Sequence, residues 1–268
     1  MSKTIGIDAG GSLIKLVYKE RGSLHYKKYP VSELEAVINW LNIMQVDKVG
    51  LTGGMADYIK EKFFPQANII HEFHAVCDGA NWLLKEKNIA IPEKYLLVHI
   101  GTGTSWYMVE KEKRTRILGS GIGGGTWMGL GSILTNETNF AHLVNLAASG
   151  NRTNIDLLVK DIYLGQDSQL NGELTASNFA KTKEGNSEKD MAASLLQMIG
   201  ETIFLLTQQA ALSIKPTFIV YSGSTIAQNK PLQAILSSFE EQVDAKQLFL
   251  EHGEYGAAIS AYLSLEQQ

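Results

Sequence analysis

The chain opens on an apolar strand that runs into an acid and two glycines. It reads Ile5-Gly6-Ile7-Asp8-Ala9-Gly10-Gly11-Ser12, then Leu13-Ile14-Lys15-Leu16. Consecutive backbone N–H groups in such a turn form a concavity that holds phosphate oxygens. Gly10 and Gly11 allow close approach and positive φ, and Ser12 adds a hydroxyl. Asp8 is placed to hold a divalent cation through water, as Mg²⁺ prefers. Lys15 can neutralise phosphate charge. The spacing is not that of a Walker A loop, which needs G-x-x-x-x-G-K-[ST]. Taken alone, the turn is equally a plain β-hairpin.

Recurrence changes that balance. The apolar run Tyr95–Ile100 ends at Gly101-Thr102-Gly103-Thr104, and Thr217–Tyr221 ends at Ser222-Gly223-Ser224-Thr225. Between them, five of the eight residues from Gly119 to Thr126 are glycine, including Gly123, Gly124 and Gly125. A helix expected near Trp127 would aim its free N–H groups at this loop. Ligands collect where the strands of open α/β sheets end. The Asp8 and Gly101 turns are therefore expected at phosphates. The Gly223 turn and the Gly121–Gly125 loop are expected nearer a nucleoside.

Phosphoryl transfer needs a group to take the acceptor's proton. Glu72, in His71-Glu72-Phe73-His74, stands just past an expected strand and before a helix opening near His74. Its bland alternative is a helix-terminal acid that complements the dipole. His71 and His74 have a spacing possible for a metal pair, but no further Cys or His cluster completes a tetrahedral site. Asp78 is a possible second acid, better read as solvent-facing or capping.

The elements that must carry these residues read as a repeat. Strands are expected at Thr4–Ile7, Ile14–Tyr18 and Leu24–Tyr29, then a helix opened by a Ser32/Glu35 capping box. Strands at Val49–Leu51 and Asn68–His71 and a helix over Ala75–Lys87 follow. The layout of strand, glycine turn, strand, turn, strand then restarts at Tyr95. Residues 139–185 read as helices and loops. A long helix is expected over Ser187–Ser213, then a strand at Gln247–Leu250 and a closing helix over Tyr255–Leu265.

Composition sets limits. The 268 residues are 44% apolar and 19% charged, enough for a normal core. A net charge of −4 argues against nucleic acid as a partner. Lys111–Arg114 reads as a solvated hairpin tip. The single cysteine, Cys77, permits no intrachain disulfide, which points to a reducing compartment. No apolar run approaches the ~18 residues of a membrane span, so a cytoplasmic protein is expected.

These turns have the layout of the actin, sugar kinase and heat-shock ATPase superfold. The fuller set resembles the type II pantothenate kinases. It comprises Asp8-Ala9-Gly10-Gly11-Ser12 with Lys15, Leu51-Thr52-Gly53-Gly54, Glu72-Phe73, Gly101-Thr102-Gly103-Thr104-Ser105, Arg116 with Gly119 and Ile122–Thr126, and Gly223-Ser224. The resemblance covers nearly the whole chain. It implies an α/β fold of two duplicated actin-like (ribonuclease H-like) halves with mixed sheets and a nucleotide between them. The halves would be 1–92 and 93–253, with 254–266 packing back on the first. It implies transfer of the ATP γ-phosphate to the 4′-hydroxyl of pantothenate, the first step of coenzyme A synthesis. Glu72 then matches the base and Arg116 the arginine on the pantothenate carboxylate. Thr104 and Ser105 border substrate, and Asp8 and Lys15 match the Mg²⁺ and phosphate contacts. It further implies a homodimer using the long helix, with Leu248 and Phe249 near the partner's substrate site. Departures are His99, where relatives commonly carry Asn, Leu118, where they carry Gly, and Tyr255. Two other readings stay open: a kinase of this superfold acting on a sugar or other hydroxyl compound, and a non-catalytic nucleotide-binding regulator.

Overall fold

The computed structural model describes residues 3–90, 94–111, 113–163 and 170–266. Its first sheet contains β1 (Thr4–Ala9), β2 (Leu13–Glu20) and β3 (Ser23–Pro30), which form an antiparallel meander. After α1 (Leu34–Ile43) comes β4 (Lys48–Thr52), parallel to β1; after α2 (Ala56–Lys62) comes the short β5 (Asn68–Ile69). The order is β3-β2-β1-β4-β5. Then α3 (Glu72–Glu86) leads to the second sheet.

There the pattern repeats. β6 (Lys94–Ile100), β7 (Thr104–Glu110) and β8 (Lys113–Ser120) form a second meander. Next come α4 (Gly124–Thr135), α5 (Phe140–Ser149), a ribbon of β9 (Leu157–Leu158) and β10 (Thr175–Ser177) flanking α6 (Val159–Tyr163), and α7 (Glu188–Ile214). β11 (Phe218–Ser222), α8 (Lys230–Ser237), β12 (Lys246–Phe249) and α9 (Gly256–Leu263) finish the order. The sheet reads β8-β7-β6-β11-β12, the first sheet's permutation. Duplication is thus present strand for strand. The expected boundary at 92/93 lies outside the described residues.

Side-chain alternation sorts the cores. On β1 and β2, Ile5, Ile7, Ile14 and Leu16 pack with Val37, Leu41 and Ile59 of α1 and α2. Val17, Tyr95, Leu97, Tyr107 and Val220 meet α3 and α9 in a middle layer between the sheets. Leu96, Val98, Trp106 and Tyr221 pack beneath α4, α5, α7 and α8. The helix α9 lies directly on the first sheet. A Cβ on Gly6 would sit 2.1 Å from Ala258 O, and one on Gly50 2.1 Å from Ala261 O.

Two local expectations are corrected. The Ser32/Glu35 capping box does not form: Ser32 lies inside a 3₁₀ turn, Val31–Glu33, and α1 starts behind Glu33 with no side-chain cap. The Val31 N–H is drawn instead to Ser12 O at 2.9 Å, which fixes the chain before the helix begins. The strand at Asn68–His71 stops at Ile69, because Glu72 already belongs to α3.

Candidate active site

Period-two alternation continues Gly6 to Asp8, Val17 to Lys15, Leu97 to His99 and Val220 to Ser222. Each therefore faces the space between the sheets. Asp8 and Lys15 are register partners, and Lys15 Nζ donates to Asp8 Oδ2 at 2.9 Å with both side chains buried. On its other side Asp8 pairs in register with Thr52, whose fully buried hydroxyl has no hydrogen-bond partner. Gly53 turns away at φ +90°; a Cβ there would lie 2.7 Å from Asp8 Oδ1.

This donor set fits Mg²⁺ held largely through its own waters. No three His, Cys, Asp or Glu side chains among the described residues are grouped to hold an ion directly. Mg²⁺ typically takes one or two carboxylates plus substrate phosphates and water. An unpartnered hydroxyl beside the Asp8 carboxylate suits such a hydrated ion.

The Asp8 and Gly101 turns meet: Ser12 Oγ and Thr102 Oγ1 are 3.0 Å apart, both residues exposed. Gly10 closes its turn by donating to Leu13 O at 3.0 Å. Neither Gly10 nor Gly11 has positive φ, contrary to expectation. Their use is space, since no atom lies within 4 Å of a Cβ built on Gly11.

The glycines of the second sheet are bound to one another. Gly124 N–H donates to Gly101 O at 2.9 Å and Gly125 N–H to Thr102 O at 2.8 Å. These two amides are therefore spent on the Gly101 turn, in the loop that the sequence puts nearer a nucleoside. A Cβ on Gly123 would lie 2.8 Å from Thr102 O, and one on Gly124 2.3 Å from Thr225 Oγ1. Thr225 in turn donates through N to Ile100 O and through Oγ1 to Gly101 O. Gly223 has φ +105°, and a Cβ there would lie 2.4 Å from Ile100 O. Gly101–Gly103, Gly123–Gly125 and Gly223–Thr225 thus form one interlocked unit, with Ser224 at its third turn. Thr104 belongs to this frame too: it is buried and its Oγ1 donates to Ile122 O at 2.7 Å.

Glu72 is the first residue of α3, not a loop residue before it. His71 caps that helix, its Nδ1 accepting from Phe73 N–H at 3.4 Å. Partial burial pushes the Glu72 carboxyl above its ordinary range, and negative Asp8 adds to this. Lys15, His71 and Arg116 oppose the rise. Those influences place Glu72 among the groups singled out from sequence.

Arg116 arrives through a β-bulge. Trp106 pairs with Leu118 but Tyr107 pairs with Arg116, so Ile117 is the extra residue. Bulges re-aim side chains, and here Arg116 and Leu118, two apart, take opposite faces. The Arg116 guanidinium lies 5.3 Å from the Phe73 ring centroid and donates to Ser105 Oγ at 3.4 Å. A Cβ on Gly119 would lie 1.8 Å from Arg116 Nη2, so glycine leaves the guanidinium its room. Leu118 packs against the core that holds Trp106 and α7, on the face opposite Arg116.

Other expectations shift. Arg114 is no solvated tip residue: it pairs with Asp78 on α3, its Nε donating at 2.5 Å. Phe249 stacks on Tyr221 at 5.1 Å, and Leu248 packs against the middle layer. Tyr255 packs against Tyr26. Cys77 is buried and its thiol is pushed up to about 12, which leaves it inert. Sequence reasoning reads Thr52, Phe73, Ser222 and Thr225 within their motifs but gives none of them a contact of its own. Thr52, Ser222 and Thr225 are marked by their places beside glycine turns, and Phe73 by its place next to Glu72.

The same architecture recurs in solved structures. Component A of the (R)-2-hydroxyglutaryl-CoA dehydratase of Acidaminococcus fermentans superposes with a TM-score of 0.66 over 98% of this chain and 97% of that one, at 14% identity. A ROK family glucokinase from Streptomyces griseus, in complex with glucose and AMPPNP, covers 100% of both chains at TM-score 0.56 and 14% identity. These likenesses give the fold, two five-stranded sheets on an actin-like frame, and the curated relatives that match the whole chain are ATP-dependent kinases of a small molecule. The Fumble family model matches residues 19–264. Type II pantothenate kinases from Oceanobacillus iheyensis and Staphylococcus saprophyticus are 42% and 33% identical, over 98% and 96% of this chain and 99% and 98% of theirs. The chain belongs to the type II pantothenate kinase family.

Proposed function

We propose that this chain transfers the γ-phosphoryl group of ATP to the 4′-hydroxyl of pantothenate. The observation that carries the reading is the convergence of Glu72, Arg116 and the Asp8–Lys15 pair, joined to the 42% identity with a type II pantothenate kinase over 98% of the chain. Glu72 takes the hydroxyl proton. Its raised carboxyl makes it a stronger base than an ordinary glutamate. Arg116, shelved on Phe73 and tied to Ser105, offers a planar fork to the substrate carboxylate. The Asp8 and Gly101 turns hold the phosphates and Lys15 neutralises their charge. Asp8 and Thr52 would hold a hydrated Mg²⁺, which would supply charge neutralisation at the transferred group.

We further read the two sheets, with 1–92 and 93–253 as their halves and α9 on the first, as domains around a nucleotide cleft. A homodimer through α7 is supported by two exposed leucines a double turn apart, Leu205 (56%) and Leu212 (66%). No described helix is long and apolar enough to cross a membrane. The deciding experiment is ADP release with and without pantothenate, beside a panel of sugars and other hydroxyl compounds. Pantothenate-dependent release is expected. Release driven by a sugar instead overturns the substrate, and nucleotide binding with no acceptor-dependent release overturns the enzyme.

A further inference from the structure

His99 stands at the register position of Ser222 on the neighbouring strand. Its Nδ1 lies 3.0 Å from Ser222 Oγ. The opposite edge of the ring, Nε2 and Cδ2, lies 3.7 and 3.8 Å from where a Cβ on Gly101 would stand. The charges of Lys15 and Asp8 both reach the imidazole. The ring thus sits where the nucleoside-side turn, the Gly101 turn and the Asp8–Lys15 pair come together. Burial lowers its pKa to about 4, with Lys15 adding to the shift and Asp8 opposing it.

A neutral imidazole carries one N–H, and the partner of one nitrogen decides where it sits. If Ser222 Oγ–H donates to Nδ1, the ring proton is on Nε2, along the Gly101 turn. Phosphate oxygens accept and do not donate, so a phosphate chain lying there selects this tautomer. A neutral donor also adds a hydrogen bond without setting a second cation against Lys15.

We propose that His99 is a phosphate-binding residue, its Nε2–H donating to the nucleotide's phosphate chain where it passes between the Asp8 and Gly101 turns, with Ser222 fixing the tautomer. The inference rests on the kinase reading above and adds a contact to it. The test is calorimetric titration of wild type and His99→Phe with AMP, ADP and a non-hydrolysable ATP analogue, all with Mg²⁺. Phenylalanine keeps the ring and removes its nitrogens. Losing a hydrogen bond to a charged group is expected to weaken ADP or ATP-analogue binding about ten-fold or more, with AMP unchanged. Equal losses for all three nucleotides, or no loss, overturn the proposal. Nitrogen NMR of the wild-type imidazoles gives a second reading if the variant fails to fold. An Nε2–H tautomer whose Nε2 resonance moves on adding ADP is expected, and an Nδ1–H tautomer in the ADP complex refutes it. Wild type that binds no nucleotide brings down the kinase reading itself; wild type that binds while His99→Phe matches it removes His99 alone.

Discussion

Replacing Glu72 by Gln separates its two possible roles by sign. The amide keeps the shape of the side chain and cannot take a proton. General-base removal typically costs ~10²–10⁴ in kcat, or about 2.7–5.4 kcal/mol of barrier at 1.36 kcal/mol per decade. Stability moves the other way. Partial burial and Asp8 raise the Glu72 carboxyl in the folded state, so ionising it is harder there than in the unfolded chain. That penalty is absent below the unfolded pKa and grows as pH rises through the folded one. At pH 7 the Gln variant should match or exceed wild type in Tm, and the gap should close toward the carboxylate range. A merely dipole-complementing acid at the first position of α3 predicts the opposite. Its loss costs about 0.3–1 kcal/mol, a Tm fall of about 1–4 °C for a chain of this size. Coupled ADP release, nucleotide titration and melting at pH 7.5 and 4.5 decide between them. A kcat within five-fold of wild type, or a clear fall in Tm at pH 7.5, refutes the base assignment.

The acid limb of kcat should lie above the ordinary glutamate range, since Glu72 must be ionised to act and its carboxyl is raised; a limb below that range contradicts the direction. Arg116→Ala removes hydrogen bonds to a charged group, about 1.5–3 kcal/mol, so KM for pantothenate should rise about 10–150-fold with kcat nearly kept. An unchanged KM discards the anchor. Gly79→Ala would set a Cβ 1.9 Å from Gly256 O where α3 crosses α9, and overpacking of about 1–3 kcal/mol or more should lower Tm. Gly129→Ala, on exposed helix surface with nothing within 4 Å, should instead gain about 0.5–1 kcal/mol; a lower Tm there shows that something covers that face of α4.

Much of the frame is legible in the chain because apolar strands ending at glycine turns carry both period and punctuation. Asp8 and Lys15 stand on β1 and β2 beside their turn, and Gly101–Gly103 directly follows β6. Arg116 and Leu118 show where that reasoning stops. Two residues apart, they should share a face, and the extra Ile117 sends them apart. A bulge leaves no mark in composition. The glycines at 123–125 hide their packing role: a glycine that cradles a ligand and one that lets two loops touch are the same letter. Only the bonds from Gly124 and Gly125 to carbonyls 101 and 102 tell which it is. Arg114 and Asp78 are 36 residues apart, beyond any local pattern, so a half-buried pair looked like a wet hairpin tip.

The seat of α9 has a consequence for how the molecule is born. β1 and β4 emerge from the ribosome early, with the flat glycine surfaces of residues 6 and 50 still bare. The helix that fits them follows about 200 residues later, some 10–40 s at usual translation speeds. Through that interval the first sheet is a half-clad intermediate whose partner does not yet exist. A nascent chain arrested just after Phe249 should therefore hold that sheet open to chaperones and proteases, and releasing the last few turns should close it.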